Sequence, residues 1–445
     1  MTKYTKEEII KRVKEENIRF IRLQFTDIFG QLKNVAITSS QIEKALDNQC
    51  MFDGSSIEGF VRIEESDQYL RPDLSSFTRI PWRNEDSGKV ARLICDVYST
   101  DQKPFNGDPR YILRKALKEA EDMGFYFNVG PECEFFLFHT DENGNPTTET
   151  QDQASYFDLG HIDHGESVRR EICITLEDMG FEIEASHHEV APGQHEIDFK
   201  YSDALSTADN IMTFRWAVKT IAKDKGLHAT FMPKPVFAQC GSGMHVNMSL
   251  FDKDGKNVFV NDSDKLGLSP IAYNFIAGIM EHIKGMTAIT NPLVNSYKRL
   301  VPGYEAPCYI AWSARNRSPL IRVPSARGQG TRIELRNPDP SANPYLVLAV
   351  CLTAGLDGIK RGLTPPPSVD TNIYELSEEE RVKHGIGSLP GSLHNAIEVM
   401  QQDKLVMDTL GGHIGGIYAD AKLKEWNEYR VQVTPWEYDR YFKLF

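Results

Sequence analysis

The sequence predicts an α+β protein, in which a small unit of mixed helices and strands precedes a larger unit that ends in helices. The first segment, 5–16, has the spacing of an amphipathic helix and opens with a Thr–Glu capping box. Segments 18–26 and 31–37 instead alternate apolar and polar residues, as half-buried strands do. After Leu346 the pattern is again mostly helical. This change of period along the chain indicates two units of different make-up.

Further elements complete this division. A second helix near 39–48 and strands near 77–98 fill out the first unit. The polar stretch 99–108 contains Pro and Gly and is typical of a linker. Pro109 then starts a helix, capped by the preceding Asp, that ends at Gly124.

Composition and charge restrict the class of protein. With 445 residues the chain is long enough for two domains, and its 40% hydrophobic and 25% charged residues are ordinary globular values. Its net charge of −13 argues against a nucleic-acid partner. The seven cysteines are scattered and lack metal-ligand spacing, as expected in a reducing compartment. The charged N-terminus is no signal peptide, and the most apolar run, 345–356, is too short to cross a bilayer, so we expect a cytoplasmic protein.

The segment EASHHEVAPGQHEID, 184–198, places two acidic groups where a β-hairpin would press them together. If its Pro-Gly pair forms a two-residue turn, Glu189 faces Glu196, and like charges directly opposite are destabilising unless a cation lies between them. The alternative is a wider loop with both glutamates on a solvated face. Taken alone, this alternative is favoured, because Pro-Gly fits a type II turn better than a tight hairpin.

Two further segments carry acids and an imidazole at strand spacing. In GPECEFFLF, Glu132 and Glu134 are two residues apart and share one face of a predicted strand. In GSGMHVNMS, His245, Asn247 and Ser249 share one side of an alternating strand. Each signal is weak alone, since exposed E-x-E pairs and structural histidines are both common.

A fourth segment, TRIELR, puts Arg332, Glu334 and Arg336 on one face and its apolar residues on the other. An edge strand with salt-bridged neighbours would have the same pattern. Together, however, the four segments supply five glutamates and one histidine, an oxygen-rich set without thiolate that favours Mg²⁺ or Mn²⁺ over zinc. Six such ligands suffice for two ions, an arrangement that recurs in phosphoryl transfer.

Cations accumulate between residues 291 and 336, where arginines are interleaved with Pro and Gly. They are Arg299, Arg315, Arg317, Arg322, Arg327, Arg332 and Arg336. A guanidinium is a planar fork suited to carboxylate and phosphate. In an acidic chain this cluster indicates a small anionic ligand, whereas a nucleic-acid patch or a solvated loop would not place arginines among residues such as Trp312 and Leu320.

Longer motifs in a fixed order resemble the bacterial glutamine synthetases of type I over essentially the whole chain. They are FDGSSIEGF at 52–60, GPECEFF at 130–136, HHEVAPGQHEID at 187–198, GSGMH at 241–245, NSYKRLVPGYEAP at 295–307, RNRSPLIRVP at 315–324 and RIELRNPDPSANPYL at 332–346. The length, without an obvious extra insertion, is similar to that of the α subtype of Gram-positive bacteria.

The resemblance implies a small N-terminal β-grasp domain, 1–103, and a larger catalytic domain, 104–445, with a curved antiparallel sheet flanked by helices. It implies ATP-dependent ligation of ammonia to the γ-carboxylate of L-glutamate through γ-glutamyl phosphate, giving glutamine, ADP and phosphate. It also implies a dodecamer whose active sites are shared between subunits, so that an isolated monomer is inactive.

The same likeness implies roles residue by residue. One metal would be held by Glu134, Glu189 and Glu196, and the other by Glu132, His245 and Glu334. Glutamate would be bound by Glu132, Cys240, Gly241, His245, Arg299, Glu305, Arg317 and Arg336. ATP would be bound by Glu184, Tyr201, Asn247, Ser249, Arg317, Arg322 and Arg332. The catalytic groups would be Asp53, Glu305, Arg317 and Arg322.

Two of these groups have distinct tasks in such a reaction. Asp53 is similar to the group that takes a proton from ammonium, which must become ammonia before it can act as a nucleophile. Glu305 resembles a flap residue that closes over the intermediate and keeps water away.

One position departs from the family pattern. The family usually has asparagine just before GSGMH, where this chain has Cys240, and a thiol is a weak hydrogen-bond partner. The resemblance therefore predicts a weaker apparent affinity for glutamate than in a relative with asparagine.

Regulation is implied at three places. Arg62 is similar to a residue tied to feedback inhibition by glutamine, although a surface arginine paired with Glu64 or Glu65 is an equal alternative. Tyr374 is similar to the tyrosine that β-subtype enzymes adenylylate, but in the α subtype a structural role is favoured. The C-terminal segment TPWEYDRYFKLF is similar to the part of α-subtype relatives that approaches nitrogen-regulatory transcription factors.

Two other functions stay open. A γ-glutamyl–amine ligase would join glutamate to an amine larger than ammonia, but the intact Asp53 loop and Glu305 flap favour ammonia. A non-catalytic scaffold would be expected to lose metal ligands, and all six positions are present.

Overall fold

The computed structural model describes residues 4–60, 67–85 and 88–445. The helices of this part of the chain are α1 (Lys6–Glu15), α2 (Ile42–Leu46), α3 (Pro109–Asp122), α4 (Glu166–Asp178), α5 (Ala204–Asp224), α6 (Pro270–Thr290), α7 (Ser296–Arg299), α8 (Pro344–Arg361), α9 (Glu378–Lys383), α10 (Leu393–Gln402), α11 (Lys404–Tyr429) and α12 (Pro435–Tyr441). The expected capping box opens α1, because the Thr5 hydroxyl accepts the Glu8 N–H while the Glu8 carboxylate accepts the Thr5 N–H.

The strands of the same residues fall into three sheets. They are β1 (Ile18–Thr26), β2 (Leu32–Thr38), β3 (Cys50–Asp53), β4 (Asp67–Pro72), β5 (Thr78–Glu85), β6 (Gly88–Ser99), β7 (Tyr126–Thr140), β8 (Pro146–Thr150), β9 (Ile183–His188), β10 (Gln194–Phe199), β11 (Ser202–Asp203), β12 (Leu227–Thr230), β13 (Met244–Phe251), β14 (Tyr309–Ile310), β15 (Trp312–Ser313), β16 (Ile321–Arg322), β17 (Ile333–Leu335) and β18 (Gly387–Ser388).

The first unit is a six-stranded mixed sheet in the order β2-β1-β6-β4-β3, with β5 also paired to β6. β1 runs parallel to β6, and the other pairs are antiparallel. Side chains such as Ile21, Leu23 and Leu93 form an apolar core of its own beneath α1 and α2. The sequence predicted β1, β2, β5 and β6 but missed β3 and β4, which are short and carry few buried residues.

The larger unit contains a ten-stranded sheet in the order β15-β16-β17-β13-β7-β10-β9, with β8, β11 and β12 also paired to the long β7. Its pairs are antiparallel except for β15 with β16. Helices α3, α5, α6 and α8 share the main apolar core with this sheet. The predicted α+β fold, with an antiparallel sheet flanked by helices, is confirmed.

Helix α8 is largely buried, as the apolar run 345–356 predicted. It begins at an Asn343 cap and ends at Gly362, which has a φ of +61° and closes the helix in the left-handed conformation. None of the described helices has both the length and the apolar character that a membrane span requires.

A buried arginine joins the two sheets. Arg110 of α3 binds Asp73 beside β4 at 2.7 Å, Asp96 of β6 at 2.5 Å and Asp209 of α5 at 2.8 Å. We call this group the Arg110 cluster. Because its members come from both units and the guanidinium is almost fully buried, it fixes one sheet against the other.

Candidate active site

The hairpin of β9 and β10 has a different register from the predicted one. Glu196 lies opposite His187, while the Glu189 N–H donates to the Gln194 carbonyl at 2.8 Å. The prediction that Glu189 faces Glu196 across a two-residue turn is therefore wrong. The Pro-Gly pair occupies the centre of a four-residue turn, in which Gly193 has the φ of +68° that a type II turn requires.

The acidic side chains meet through the neighbouring strand instead. Glu132 and Glu134 share one face of β7, and Glu196 lies opposite Glu134 while Asp198 lies opposite Glu132. On the other side of β7, His245 of β13 lies opposite Glu132. Directly opposite residues of antiparallel strands have Cβ atoms about 5 Å apart. A continuous row of carboxylates and one imidazole therefore crosses three strands.

Strand β17 extends this row. It is enclosed between β13 and β16, so the alternative of an edge strand for TRIELR is wrong. Glu334 is fully buried and accepts hydrogen bonds from Arg322, at 2.6 Å, and from Arg336. Its carboxylate also lies 3.7 Å from His245 Nδ1, which is 3.0 Å from Glu132.

A cavity of about 510 Å³ opens over this row, and we call it the acid chamber. All the residues expected to bind glutamate line it, as do all the expected metal ligands except Glu334, which lies behind Arg322 and Arg336. The chamber therefore combines four acidic side chains of β7 and β10, and Glu189 of the turn between β9 and β10, with arginines from the 291–336 segment.

A second cavity of about 380 Å³ adjoins it, and we call it the outer chamber. Five of the residues expected to bind ATP line it, namely Glu184, Tyr201, Asn247, Ser249 and Arg332. The other two, Arg317 and Arg322, line the acid chamber. Glu132 and Asp198 line both cavities and thus form the wall between them.

Burial and mutual repulsion make several of these acids hard to ionise. Burial, with the charges of neighbouring carboxylates, raises the pKa of Glu189 to about 9 and that of Asp198 to about 7, and it raises the pKa of Glu196 well above its usual range. Glu132 differs, because although burial opposes its ionisation, the hydrogen bond and charge of His245 lower its pKa to about 2.

The donor atoms fit divalent cations. Around the acid chamber, two groups bring their ligand atoms within 4.8 Å of one another, namely Glu132, His245 and Glu334, and His187, Glu196 and Asp198. The first is one of the two predicted ligand sets. Hard ions such as Mg²⁺ and Mn²⁺ prefer carboxylate oxygens, and the raised pKa values indicate an excess of negative charge that a cation would neutralise.

The loop that carries Glu305 forms one side of the acid chamber. Glu305 has a φ of +60°, an uncommon conformation for a residue with a side chain. The ring of the preceding Tyr304 lies 3.8 Å from Lys234 Nζ. After it, the Ala306 carbonyl accepts the Tyr374 hydroxyl at 2.7 Å, and burial raises the pKa of Tyr374 to about 12. This contact favours the structural role of Tyr374.

Two chamber residues are engaged by their own surroundings. Arg299 is buried and donates to the carbonyls of Asn337, at 2.6 Å, and Arg336, at 3.2 Å, which fixes the plane of its guanidinium. Cys240 lines the same cavity, where burial and the charge of Glu305 raise the pKa of its thiol.

Besides Glu334, three predicted or candidate residues of the described part of the chain line neither chamber. Asp53 is exposed at the end of β3, and hydrogen bonds from the hydroxyl and N–H of Ser55 lower the pKa of its carboxyl. Arg315 lines neither chamber. Arg327 donates to loop carbonyls, including that of residue 266 at 2.6 Å. Arg62 lies outside the described residues.

Sequence reasoning missed several residues of the acid chamber. Asp198 follows Glu196 by two residues, so the same strand period that paired Glu132 with Glu134 would have found it. Gln194 donates to Glu134 at 2.8 Å and was hidden by the wrong register. Tyr156 reaches the chamber from a loop, where no periodic signal exists.

The comparisons with known proteins agree over both units. The glutamine synthetase β-grasp domain family matches residues 17–100, and the glutamine synthetase catalytic domain family matches residues 106–441. The chain is 64% identical over 445 residues to the glutamine synthetase of Clostridium saccharobutylicum, with all of both chains covered. It is 59% identical over 443 residues to that of Staphylococcus aureus, with 99% of each covered.

Solved structures share the fold. One, a GmaS/ADP complex, superposes with a TM-score of 0.89 at 33% identity and covers 100% of both chains. A cryo-EM structure of glutamine synthetase from Plasmodium falciparum gives a TM-score of 0.87 at 25% identity, with 99% of each chain covered.

Proposed function

The chain belongs to the glutamine synthetase family, and from that membership we propose that it is an ATP-dependent glutamate–ammonia ligase. The observation that carries this proposal is the pair of adjoining chambers. One holds acids and arginines suited to a glutamate carboxylate and a phosphoryl group, and the other has the size of a ligand pocket. The ADP of the GmaS structure supports a nucleotide in the outer chamber.

The reaction has two bond exchanges. A γ-carboxylate oxygen of glutamate attacks the γ-phosphorus of ATP, an O–P bond forms, and the bond to the ADP oxygen breaks. The nitrogen of ammonia then bonds to the acyl carbon, the C–O bond to phosphate breaks, and phosphate leaves. Arg299 and Arg336 would hold the glutamate carboxylates, while Arg317 and Arg322 would balance the charge of the transferred group.

The metal ligands are part of this proposal. One ion would be held by Glu134, Glu189 and Glu196, and a second by Glu132, His245 and Glu334. When bound, Mg²⁺ or Mn²⁺ supplies charge neutralisation and a template for phosphate oxygens. The chain's own residues keep these carboxylates in place, since Gln194 and the Gly243 N–H both donate to Glu134.

The proton acceptor for ammonium is proposed to come from a neighbouring subunit. Asp53 lies away from both chambers of its own chain and is exposed, which supports a role at the site of another chain. The lowered pKa of its carboxyl keeps it ionised at neutral pH, as a group that attracts ammonium must be. We propose a dodecamer with shared sites, so a monomeric preparation should be inactive.

Further proposals concern domain bounds, location and regulation. We propose that 1–103 and 104–445 are the two domains and that the protein is cytoplasmic. We also propose that glutamine inhibits it by feedback through Arg62. The C-terminal segment exposes Trp436 and Phe442, which supports contact with a nitrogen-regulatory transcription factor. A pull-down with such a regulator in the presence of glutamine tests this, and absence of binding would remove it.

One assay tests the main proposal. Glutamate, ATP, ammonium and Mg²⁺ are combined, and phosphate and glutamine should be released in equal amounts. Competing methylamine or ethylamine distinguishes the γ-glutamyl–amine ligase, which would give the substituted amide in preference to glutamine. Phosphate release without either amide would contradict both functions.

A further inference from the structure

A buried polar cluster lies directly behind the β9–β10 hairpin, outside both chambers. The side chains of Asp152, His188 and His195 are all fully buried, and their donor atoms lie within 4.8 Å of one another. Arg169 of α4 contacts this cluster and forms a buried ion pair with Asp163, at 2.6 Å. The proposed reaction gives these groups no part.

The cluster is a hydrogen-bonded network rather than a further metal site. Arg169 Nη1 lies 2.8 Å from His195 Nδ1, so a guanidinium occupies the position from which that nitrogen could bind a cation. The Asp152 carboxylate already accepts the Gly193 N–H at 2.9 Å and faces His188 Nε2 at 3.0 Å. The positive charge of Arg169 opposes cation binding, and so do the hydrogen bonds already made by the Asp152 oxygen.

The network holds both arms of the turn that separates two proposed metal ligands. On one arm, His188 Nε2 lies 3.0 Å from an Asp152 carboxylate oxygen, and His188 Nδ1 lies 2.6 Å from the Glu189 carbonyl oxygen. On the other arm, Gly193 donates to the same Asp152 oxygen. Within the turn, the Glu189 N–H and the Gln194 carbonyl are joined at 2.8 Å. Asp152 is thus the point at which the two arms are tied together.

We propose that Asp152 and His188 are positioning residues that set the separation of Glu189 and Glu196 for a divalent cation. This inference rests on the proposed function, since it takes those glutamates as ligands of the first ion. Partners behind metal ligands commonly change metal affinity by about 10–100-fold when they are replaced. Here the partner acts through the main chain of the turn and not through the ligating carboxylates.

The test replaces Asp152 by asparagine in the full oligomer. Asp152→Asn keeps the shape but removes the negative charge, and an NH2 group replaces either the oxygen that Gly193 and His188 share or the oxygen that accepts from Gln151. We expect faster hydrogen exchange at 190–194 in the metal-free protein and about tenfold weaker Mn²⁺ binding in calorimetry at one of two sites. Binding at the Glu132, His245 and Glu334 site and the KM for ATP should not change.

Asp141→Asn is the matched control. Asp141 also accepts main-chain N–H groups within a turn, from Asn143 at 2.9 Å and Asn145 at 2.7 Å, but that turn is exposed and lies between β7 and β8. It should leave Mn²⁺ binding unchanged. If Asp152→Asn fails to assemble, His188→Asn takes its place. The new amide can reproduce the contact of His188 Nδ1 with the Glu189 carbonyl, but it loses the contact of Nε2 with Asp152.

The outcomes separate the two proposals. Equal Mn²⁺ affinities of wild type and variant would overturn the positioning role, even if hydrogen exchange at the turn became faster, because Asp152 would then only brace the loop. Equal weakening at both metal sites would overturn it as well. Failure of the wild-type protein to bind Mn²⁺ would instead contradict the metal sites of the proposed function.

Discussion

The Arg110 cluster and the acid chamber both bury carboxylates, but their counter-charges have different sources. In the Arg110 cluster, one guanidinium of the chain contacts three aspartates at 2.5–2.8 Å. Burial opposes the ionisation of Asp73, yet the charges of Arg110 and Arg114 lower its pKa to about 2. These acids are paired with a cation of the chain, and their role is to join the two units.

In the acid chamber the shift has the opposite direction. Glu189, Glu196 and Asp198 face one another and Glu134, and the pKa of each of the three is raised. Burial is similar in the two places, so the difference comes from whether a guanidinium directly contacts the acids, as Arg110 does. Acids paired with a guanidinium stabilise the fold, whereas acids without such a partner repel one another, and a bound cation would reduce that repulsion.

The largest effect should follow from removing one charge of the acid chamber. Glu196→Gln should lower kcat/KM by about three orders of magnitude, because several kcal/mol of charge stabilisation depend on the ion it would hold. The control is Glu182→Gln, since Glu182 is exposed and pairs with Lys200. Steady-state kinetics at saturating Mg²⁺ measure the change, and retention of a tenth of the activity would contradict the assignment.

The next largest effect concerns the Arg110 cluster. Arg110→Leu should lower the free energy of unfolding by about 3–5 kcal/mol, because it leaves buried aspartates without a partner. Arg114→Leu is the matched control, since Arg114 contacts Asp73 and Asp96 but is 38% exposed and should cost about 1 kcal/mol or less. Urea unfolding compares the two, and equal losses would show that the cluster is no stronger than a surface pair.

The pH dependence of stability tests whether the charge of Asp73 stabilises the Arg110 cluster. The pKa of Asp73 is about 2 in the folded protein against 3.8 for the free group, so its contribution is present above pH 4 and is lost as the pH falls towards 2. At pH 6 the free energy of unfolding of the wild type should exceed that of Asp73→Asn by about 1–2 kcal/mol, a range that allows for the partial exposure of the Asp73 side chain. The gap should close between pH 4 and 2, and a constant gap would exclude a charge effect.

In the acid chamber, replacing an acid should increase the stability of the metal-free protein, which is the opposite of the effect in the Arg110 cluster. In a chelator, Glu196→Gln should raise the free energy of unfolding by about 1 kcal/mol, because a carboxyl whose pKa is raised on folding destabilises the folded state at neutral pH and an amide does not. Thermal unfolding in EDTA measures this, with Glu182→Gln as the control. If Glu196→Gln instead lost as much stability as Arg110→Leu, the acid chamber and the Arg110 cluster would not differ in how their acids affect stability.

The smallest effect concerns a neutral side chain in the acid chamber. Cys240→Asn should lower the KM for glutamate by roughly fivefold, because an amide supplies a hydrogen bond worth about 1 kcal/mol that a thiol does not. The value of kcat should stay within twofold, since no charge is altered. An unchanged KM would mean that the main chain alone holds the substrate at this position.

The sequence predicted most of the elements, because their signals are local. The Thr5 cap, the apolar helix at 345–356 and the faces of 132–134 and 332–336 depend on spacing within one segment, and the structure confirms them. Strands β3 and β4 were missed because four to six residues with few buried positions carry little periodic signal.

What sequence could not supply is the pairing between segments. The prediction joined Glu189 to Glu196, but Glu196 lies opposite His187, two residues earlier on β9, and on its other side it lies opposite Glu134 of a strand some 60 positions away. Register depends on turn geometry and on the neighbouring strand, neither of which is local. The roles proposed for single residues rest on family resemblance.

The thin partition formed by Glu132 and Asp198 has a consequence for inhibitor design. If the two chambers hold glutamate and nucleotide as proposed, a compound with a glutamyl head and an adenosine tail would contact both faces of this partition and would gain from the effective concentration of linked groups. By the same linkage, nucleotide and amino acid should each alter the other's dissociation constant by one common factor.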